Sequence, residues 1–208
     1  MLNMKNCLPF IAFRKSRVAF HSIVFGMMLV LFAGAAGAET FISGFEMGVS
    51  GRFDFALGEI SKHEFGNVGV SLEYAWPLPL GLPESLLSDI GLCAEAGVLF
   101  PVGMASYIDS WWVCDFGLGA YVDLKINPRV IVRPELLADF RLNFIESNFR
   151  NLHGPMLDVG VKTGAVLVLD FSESRLLFKA GADYVILPEK NNICHYFAVK
   201  TGAAFRFN

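Results

Sequence analysis

Between residues 45 and 57 apolarity changes with a period of two. Phe45, Met47, Val49, Gly51, Phe53, Phe55 and Leu57 alternate with Glu46, Gly48, Ser50, Arg52, Asp54 and Ala56, which is the pattern of a strand and not of a helix. The same rule holds in eight segments. Alternate positions carry the apolar residues from Val68 to Trp76, Ile90 to Phe100, Trp112 to Ile126, Val130 to Phe144, Leu157 to Leu167, Leu176 to Ile186 and Ile193 to Phe207. None of these apolar faces carries Asp, Glu, Lys or Arg, whereas the opposite faces carry nearly all the strand charge.

A face so free of charge suits hydrocarbon, because Arg or Lys at mid-bilayer costs about 2–4 kcal/mol. In lipid every backbone donor needs an internal partner, and a sheet provides this only by closing on itself. The sequence therefore predicts an all-β fold: an eight-stranded antiparallel transmembrane up-and-down β-barrel over residues 39–208. A lipocalin-like barrel, with apolar residues inward around a ligand, has the same alternation. Aromatic residues favour the membrane reading. Phe53, Phe55, Phe100, Trp112, Phe144 and Tyr184 fall near one rim, and Tyr74, Trp76, Phe205 and Phe207 near the other, as interfacial girdles would.

Residues 1–38 differ in kind. Lys5, Arg14, Lys15 and Arg17 precede an apolar run from Val18 to Phe32, and Ala36-Gly37-Ala38 matches the small-residue cleavage pattern. A signal peptide cleaved before Glu39 is predicted. Its removal takes four basic and no acidic residues from 17 basic and 20 acidic ones, leaving a net charge of −7. An acidic chain gives no support for a nucleic-acid partner. Cys93, Cys114 and Cys194 remain, an odd number without metal-ligand spacing, and read as structural thiols. No cofactor or metal is expected.

Eight strands enclose little more than their own side chains. The inward set is read as nine bases, among them Lys125 and Arg129, against ten acids, and so as nearly neutral. The expected lumen charges are Arg52, Glu95, Asp115, Asp123, Arg133, Glu135, Asp139, Arg141, Lys162, Lys179, Asp183 and Lys200. They form either a narrow polar path or an ion-paired plug, since a charge left alone in a dry lumen costs several kcal/mol. Pro134 lacks a ladder donor in mid-strand; it marks a bulge or kink, or a lateral seam open to hydrophobic molecules. His63, His153 and His195 join no compact Ser/His/acid group, so no enzymatic role is expected.

The leader, the eight strands, the final Phe205-Arg206-Phe207 and Val132-Arg133-Pro134-Glu135-Leu136-Leu137 together resemble the small outer-membrane β-barrels, which include OmpA-, OmpX- and OmpW-like proteins. The resemblance implies a monomer in the outer membrane of a Gram-negative-type cell, with both termini periplasmic. Its partners would be outer-membrane lipid and the barrel-assembly machinery, through an aromatic-ended final strand that here continues to Asn208. It further implies a narrow OmpW-like channel for small hydrophobic solutes. The alternative is a non-conducting barrel with a structural or surface-contact role, adhesion included, although loops of roughly 6–11 residues suit a large adhesive surface poorly.

Overall fold

The computed structural model describes residues 44–58, 60–62, 64–78, 80, 87–106, 108–147, 153–171, 174–189 and 192–207. The expected leader and its cleavage site lie outside the described residues. Eight strands form one closed antiparallel barrel: β1 (Glu46–Leu57), β2 (Gly66–Pro77), β3 (Leu87–Val102), β4 (Ile108–Asn127), β5 (Val130–Ser147), β6 (His153–Phe171), β7 (Leu176–Glu189) and β8 (Asn192–Arg206). Each pairs with the next, and β8 closes on β1 from Glu46↔Arg206 to Leu57↔His195. Both ends of the barrel chain thus lie at one rim, the terminal rim; the other is the far rim. No helix among the described residues is long and apolar enough to cross a membrane.

Burial settles which face is inside. Val49, Val70, Leu118 and Leu136 are 56–60 % exposed, whereas Arg52, Asp54, Asp115, Arg133, Asp139 and Lys162 are at most 4 % exposed. The lipocalin arrangement, apolar in and charged out, is excluded. A belt of this kind exposed to water would be far larger than a soluble monomer tolerates, and in lipid it is the expected surface.

Aromatic rings gather at both edges of the belt. At the terminal rim Phe45 packs against Tyr74, Trp76 and Phe207 at centroid distances of 5.3–6.1 Å. Toward the far rim Trp112 stacks on Phe144 at 3.9 Å, and Phe53, Phe55 and Phe65 cluster on the β1–β2 side.

The strands run further than the polar residues at their ends suggest. The stretches from Ile145 to Pro155 and from Pro101 to Ser110 read as loops, yet β5 continues to Ser147, β6 starts at His153, β3 ends at Val102 and β4 starts at Ile108. Outside the hydrocarbon both faces of a strand meet water, so alternation fades there while the ladder continues. Lys125 and Arg129, expected inside, are exposed beside the β4–β5 turn for the same reason.

The ladders are uneven at the far rim. Between β3 and β4 pairing stops at Leu99↔Val113, and between β6 and β7 it stops at Val161↔Ile186. β4, β5 and β6 continue beyond these points as a three-stranded flap, paired from Ile108↔Ser147 and Glu146↔His153. Pro134 does not bulge. It pairs with Ala165 of β6 in continuous register, while on the β4 side the ladder omits Val122 and Asp123 opposite Pro134 and Arg133 and resumes with unchanged offset.

Candidate functional site

Period-two alternation sends the even residues of β1, β6 and β8 and the odd residues of β2, β3, β4, β5 and β7 into the lumen. Inward glycines leave space for their long side chains. A Cβ on Gly117 would lie 2.7 Å from Cγ of Glu95, and one on Gly164 would lie 2.1 Å from Oδ1 of Asp183.

Near the terminal rim Arg133 is the hub. Its guanidinium donates to Glu46 (2.7 and 3.1 Å) and to Asp123 (2.6 and 2.8 Å), and it lies 4.2 Å from the Tyr121 ring centroid. Such two-pronged pairing is the strong form of a charged hydrogen bond. Arg206 joins Glu46 to Asp170, and Lys179 lies 3.2 Å from Glu46 and 3.7 Å from Glu73. Ser50 donates to Glu73 at 2.7 Å.

The mid-barrel cluster reaches right across the lumen. Arg52 of β1 donates to Asp54, to Asp115 of β4 (2.6 Å) and to Glu95 of β3 (3.2 Å). Arg141 of β5 donates to Asp54 (2.9 Å) and Asp139 (3.1 Å). Lys162 of β6 contacts Glu95, Asp115 and Asp139, the last two at 3.1 Å. Lys200 of β8 extends the cluster to Glu135 (3.0 Å), Asp183 (3.4 Å) and Glu95 (3.9 Å). Oxygens of Glu95, Asp115 and Asp139 lie within 4.8 Å of one another, a spacing that suits a metal ion, but the cation among them is the Lys162 ammonium.

Toward the far rim the lumen turns apolar. Ala56, Val185, Leu187, Cys194 and Tyr196 pack together, and Ile60 of the single-turn 3-10 helix Ile60–Lys62 packs against them. Beside this helix Glu64 is 1 % exposed and accepts a hydrogen bond from the Tyr196 hydroxyl at 2.6 Å. Burial pushes its carboxyl up to about 7, a shift moderated by Tyr196, Arg141 and Asn67.

All twelve expected lumen charges lie on inward positions: Asp123, Arg133 and Lys179 in the terminal cluster, the other nine in the mid-barrel cluster. The near-neutral count does not hold. With Lys125 and Arg129 outside and Asp170 and Glu64 inside, among the described residues seven bases (Arg52, Arg133, Arg141, Lys162, Lys179, Lys200, Arg206) face twelve acids (Glu46, Asp54, Glu64, Glu73, Glu95, Asp115, Asp123, Glu135, Asp139, Asp158, Asp170, Asp183). Asp170 was legible, being in phase with Asp158 and Lys162. Glu64 was not, because a loop has no period. Cys93 and Cys194 are buried, Cys114 is half-buried, and none of the three forms a disulfide. Outward-facing His195 stacks on Tyr184 with Nδ1 3.0 Å from its hydroxyl. His63 and the side chain of His153 lie outside what is described.

Compared with protein-family models and with curated proteins, the sequence matches none. Solved structures do match. The chain is similar to Neisserial surface protein A, with 11 % identity over 79 % of this chain and 98 % of that one and a TM-score of 0.57. It is also similar to Ail, the attachment invasion locus protein of Yersinia pestis, with 16 % identity over 79 % and 99 % and a TM-score of 0.53. At these identities the likeness is one of fold, that of the small eight-stranded outer-membrane barrels.

Proposed function

Taking the chain as an outer-membrane barrel of the small eight-stranded kind, we propose that it does not conduct along its axis and serves instead as a plugged structural or surface-contact barrel. One observation carries this reading. The cluster of Arg52, Asp54, Glu95, Asp115, Asp139, Arg141 and Lys162 bridges β1, β3, β4, β5 and β6 with side chains no more than 5 % exposed. An ion crossing it would have to separate buried pairs, and breaking one such pair costs about 3–5 kcal/mol. The far rim, with its rising β4–β6 flap, is then the part offered to the surroundings.

A catalytic role has little to build on. His195 on the lipid-facing side meets Tyr184 rather than a nucleophile and a carboxylate. The final strand, with Phe205 outward and Phe207 against Phe45, is read as the segment engaged by the barrel-assembly machinery. The OmpW-like transport reading keeps one support, the apolar cluster around Leu187 at the far end.

Planar-bilayer recording of the refolded mature protein tests the proposal. Inserted, heat-modifiable protein is expected to be silent at neutral pH, with Arg52→Ala giving small openings. Discrete openings of the unaltered protein, changed by Arg52→Ala, would replace the plug with a path.

A further inference from the structure

The chain is acidic overall, with a formal net charge of −3, but its exposed charge is unevenly spread. Among the described residues the far rim exposes Lys62 against Asp109 and Glu146, whereas the terminal rim exposes Lys125, Arg129 and Arg175 against Asp89. The ion-paired clusters of the lumen use none of these three terminal-rim bases. None of the three side chains makes an ion pair with another described residue.

Arg129 and Arg175 bracket the end of β6. On the β5 side the Arg129 carbonyl accepts from the Asp170 amide at 2.9 Å, and on the β7 side Phe171 pairs with Leu176, the residue after Arg175. Two strand spacings, about 10 Å, separate the two backbones, so two long side chains can meet over one group. Asp170, between them, is buried and already held by Arg206. Arg175 also has a φ of 57°, in the left-handed region that suits glycine or asparagine. The turn thus keeps a guanidinium where the backbone alone favours another residue. Next to this rim the lipid-facing wall is apolar: Leu169, Phe171, Phe178 and Phe205 are exposed there, and Phe171 meets Phe178 edge-on at 5.6 Å.

The geometry points to a site for an anionic phospholipid at the terminal rim of β5–β7, with its phosphate between Arg129 and Arg175 and its acyl chains along Phe171 and Phe178. The occupant follows from position and charge. Lipid chains already cover the wall, so the ligand reaches the site within the plane of the membrane. A guanidinium pairs with a phosphate through two parallel N–H donors, and each basic residue near a membrane surface favours anionic lipid by about fivefold. Lys125, farther off at the end of β4, adds charge without bracketing the site. The site is independent of the axial plug, because neither arginine belongs to the lumen clusters.

Lipids with brominated acyl chains quench a tryptophan that they touch. Phe171→Trp, in a chain with Trp76, Trp111 and Trp112 changed to Phe, is refolded into phosphatidylcholine bilayers that hold a small share of brominated phosphatidylglycerol or, in parallel, of brominated phosphatidylcholine. Both leaflets have one composition, so the direction of insertion does not matter. Phosphatidylglycerol is expected to quench as though bound at least about threefold more tightly. A far-rim reporter, Phe100→Trp, is expected to show no preference. Arg129→Gln together with Arg175→Asn, a residue suited to the positive φ, is expected to remove the preference at 171. Equal quenching by the two lipids at 171, an equal preference at 100, or a preference that survives the double substitution overturns the site.

Because the tryptophan replacements disturb the Trp112–Phe144 stack and the Trp111–Asn143 hydrogen bond, native mass spectrometry of the chain with its own tryptophans gives a second reading. Offered equimolar phosphatidylglycerol and phosphatidylcholine in detergent, the protein is expected to retain several-fold more phosphatidylglycerol, and the Arg129→Gln, Arg175→Asn protein to retain both alike. Equal retention by the unaltered protein, or an excess that outlasts the double substitution, overturns the proposal. Neither result bears on conductance, so the rim site and the plug fail separately.

Discussion

The terminal and mid-barrel clusters use the same residue types and reach opposite states. In the terminal cluster Arg133, Lys179 and Arg206 serve Glu46, Glu73, Asp123 and Asp170, and Arg133 is doubly bonded to two of them. In the mid-barrel cluster Arg52, Arg141, Lys162 and Lys200 serve six acids: Asp54, Glu95, Asp115, Glu135, Asp139 and Asp183. Four buried oxygens there, Oδ1 of Asp115 and of Asp139 and both of Asp183, accept no hydrogen bond, whereas no carboxylate oxygen of the terminal cluster is left so. Three of the four, Oδ1 of Asp115 and of Asp139 and Oδ2 of Asp183, are reached by cations only as ion contacts of 3.1–3.5 Å. One end of the lumen is saturated with donors and the middle is short of them. Buried charge therefore stabilises where each carboxylate has aligned donors and strains the fold where it does not.

The largest expected effect is at the saturated end. Arg133→Ala leaves Glu46 and Asp123 facing each other without their hub and is predicted to destabilise the barrel by about 3–5 kcal/mol, read as a lowered urea midpoint in lipid vesicles. Lys179→Ala, with one contact of 3.2 Å and one of 3.7 Å, should cost clearly less. Equal losses would mean that hub geometry does not matter.

A second prediction concerns pH. The carboxyl of Glu64 is raised in the folded state to about 7, above its ordinary value of 4.5. Its protonation therefore contributes stability that is fully present below about pH 4.5 and lost as pH rises through 7. Hydrogen exchange of the Ile60–Lys62 amides, corrected for intrinsic rates, should quicken across that window in the unaltered protein. With Glu64→Gln the protection should be flat; the same pH response in the variant would assign it to another group.

The smallest effect is the one that separates inside from outside. Lys125 shares the inward phase of β4 but is exposed, so Lys125→Ala should change stability by no more than about 0.5 kcal/mol. A loss comparable to that from Lys179→Ala would return Lys125 to the lumen.

The sequence made the barrel legible because alternation is enforced wherever one face meets hydrocarbon, and a single-residue slip would put every charge in lipid. It made the identity of the lumen charges legible for the same reason. Their partners were not. Arg133 meets Glu46 at a separation of 87 residues and Tyr196 meets Glu64 at 132, and which strands face each other across the lumen depends on register around the whole barrel. The strand ends were obscured where both faces meet water, which admitted Lys125 to the inward set.

The contrast between the two clusters is tested most directly by removing one negative charge from each and comparing unfolding midpoints in the same lipid. Asp123→Asn should lower the midpoint, because it takes an acceptor from the two-pronged Arg133 pair. Asp139→Asn should leave the midpoint unchanged or raise it, because it relieves an acid surplus in the middle of the barrel. A lower midpoint for Asp139→Asn, as large as that for Asp123→Asn, would contradict the account.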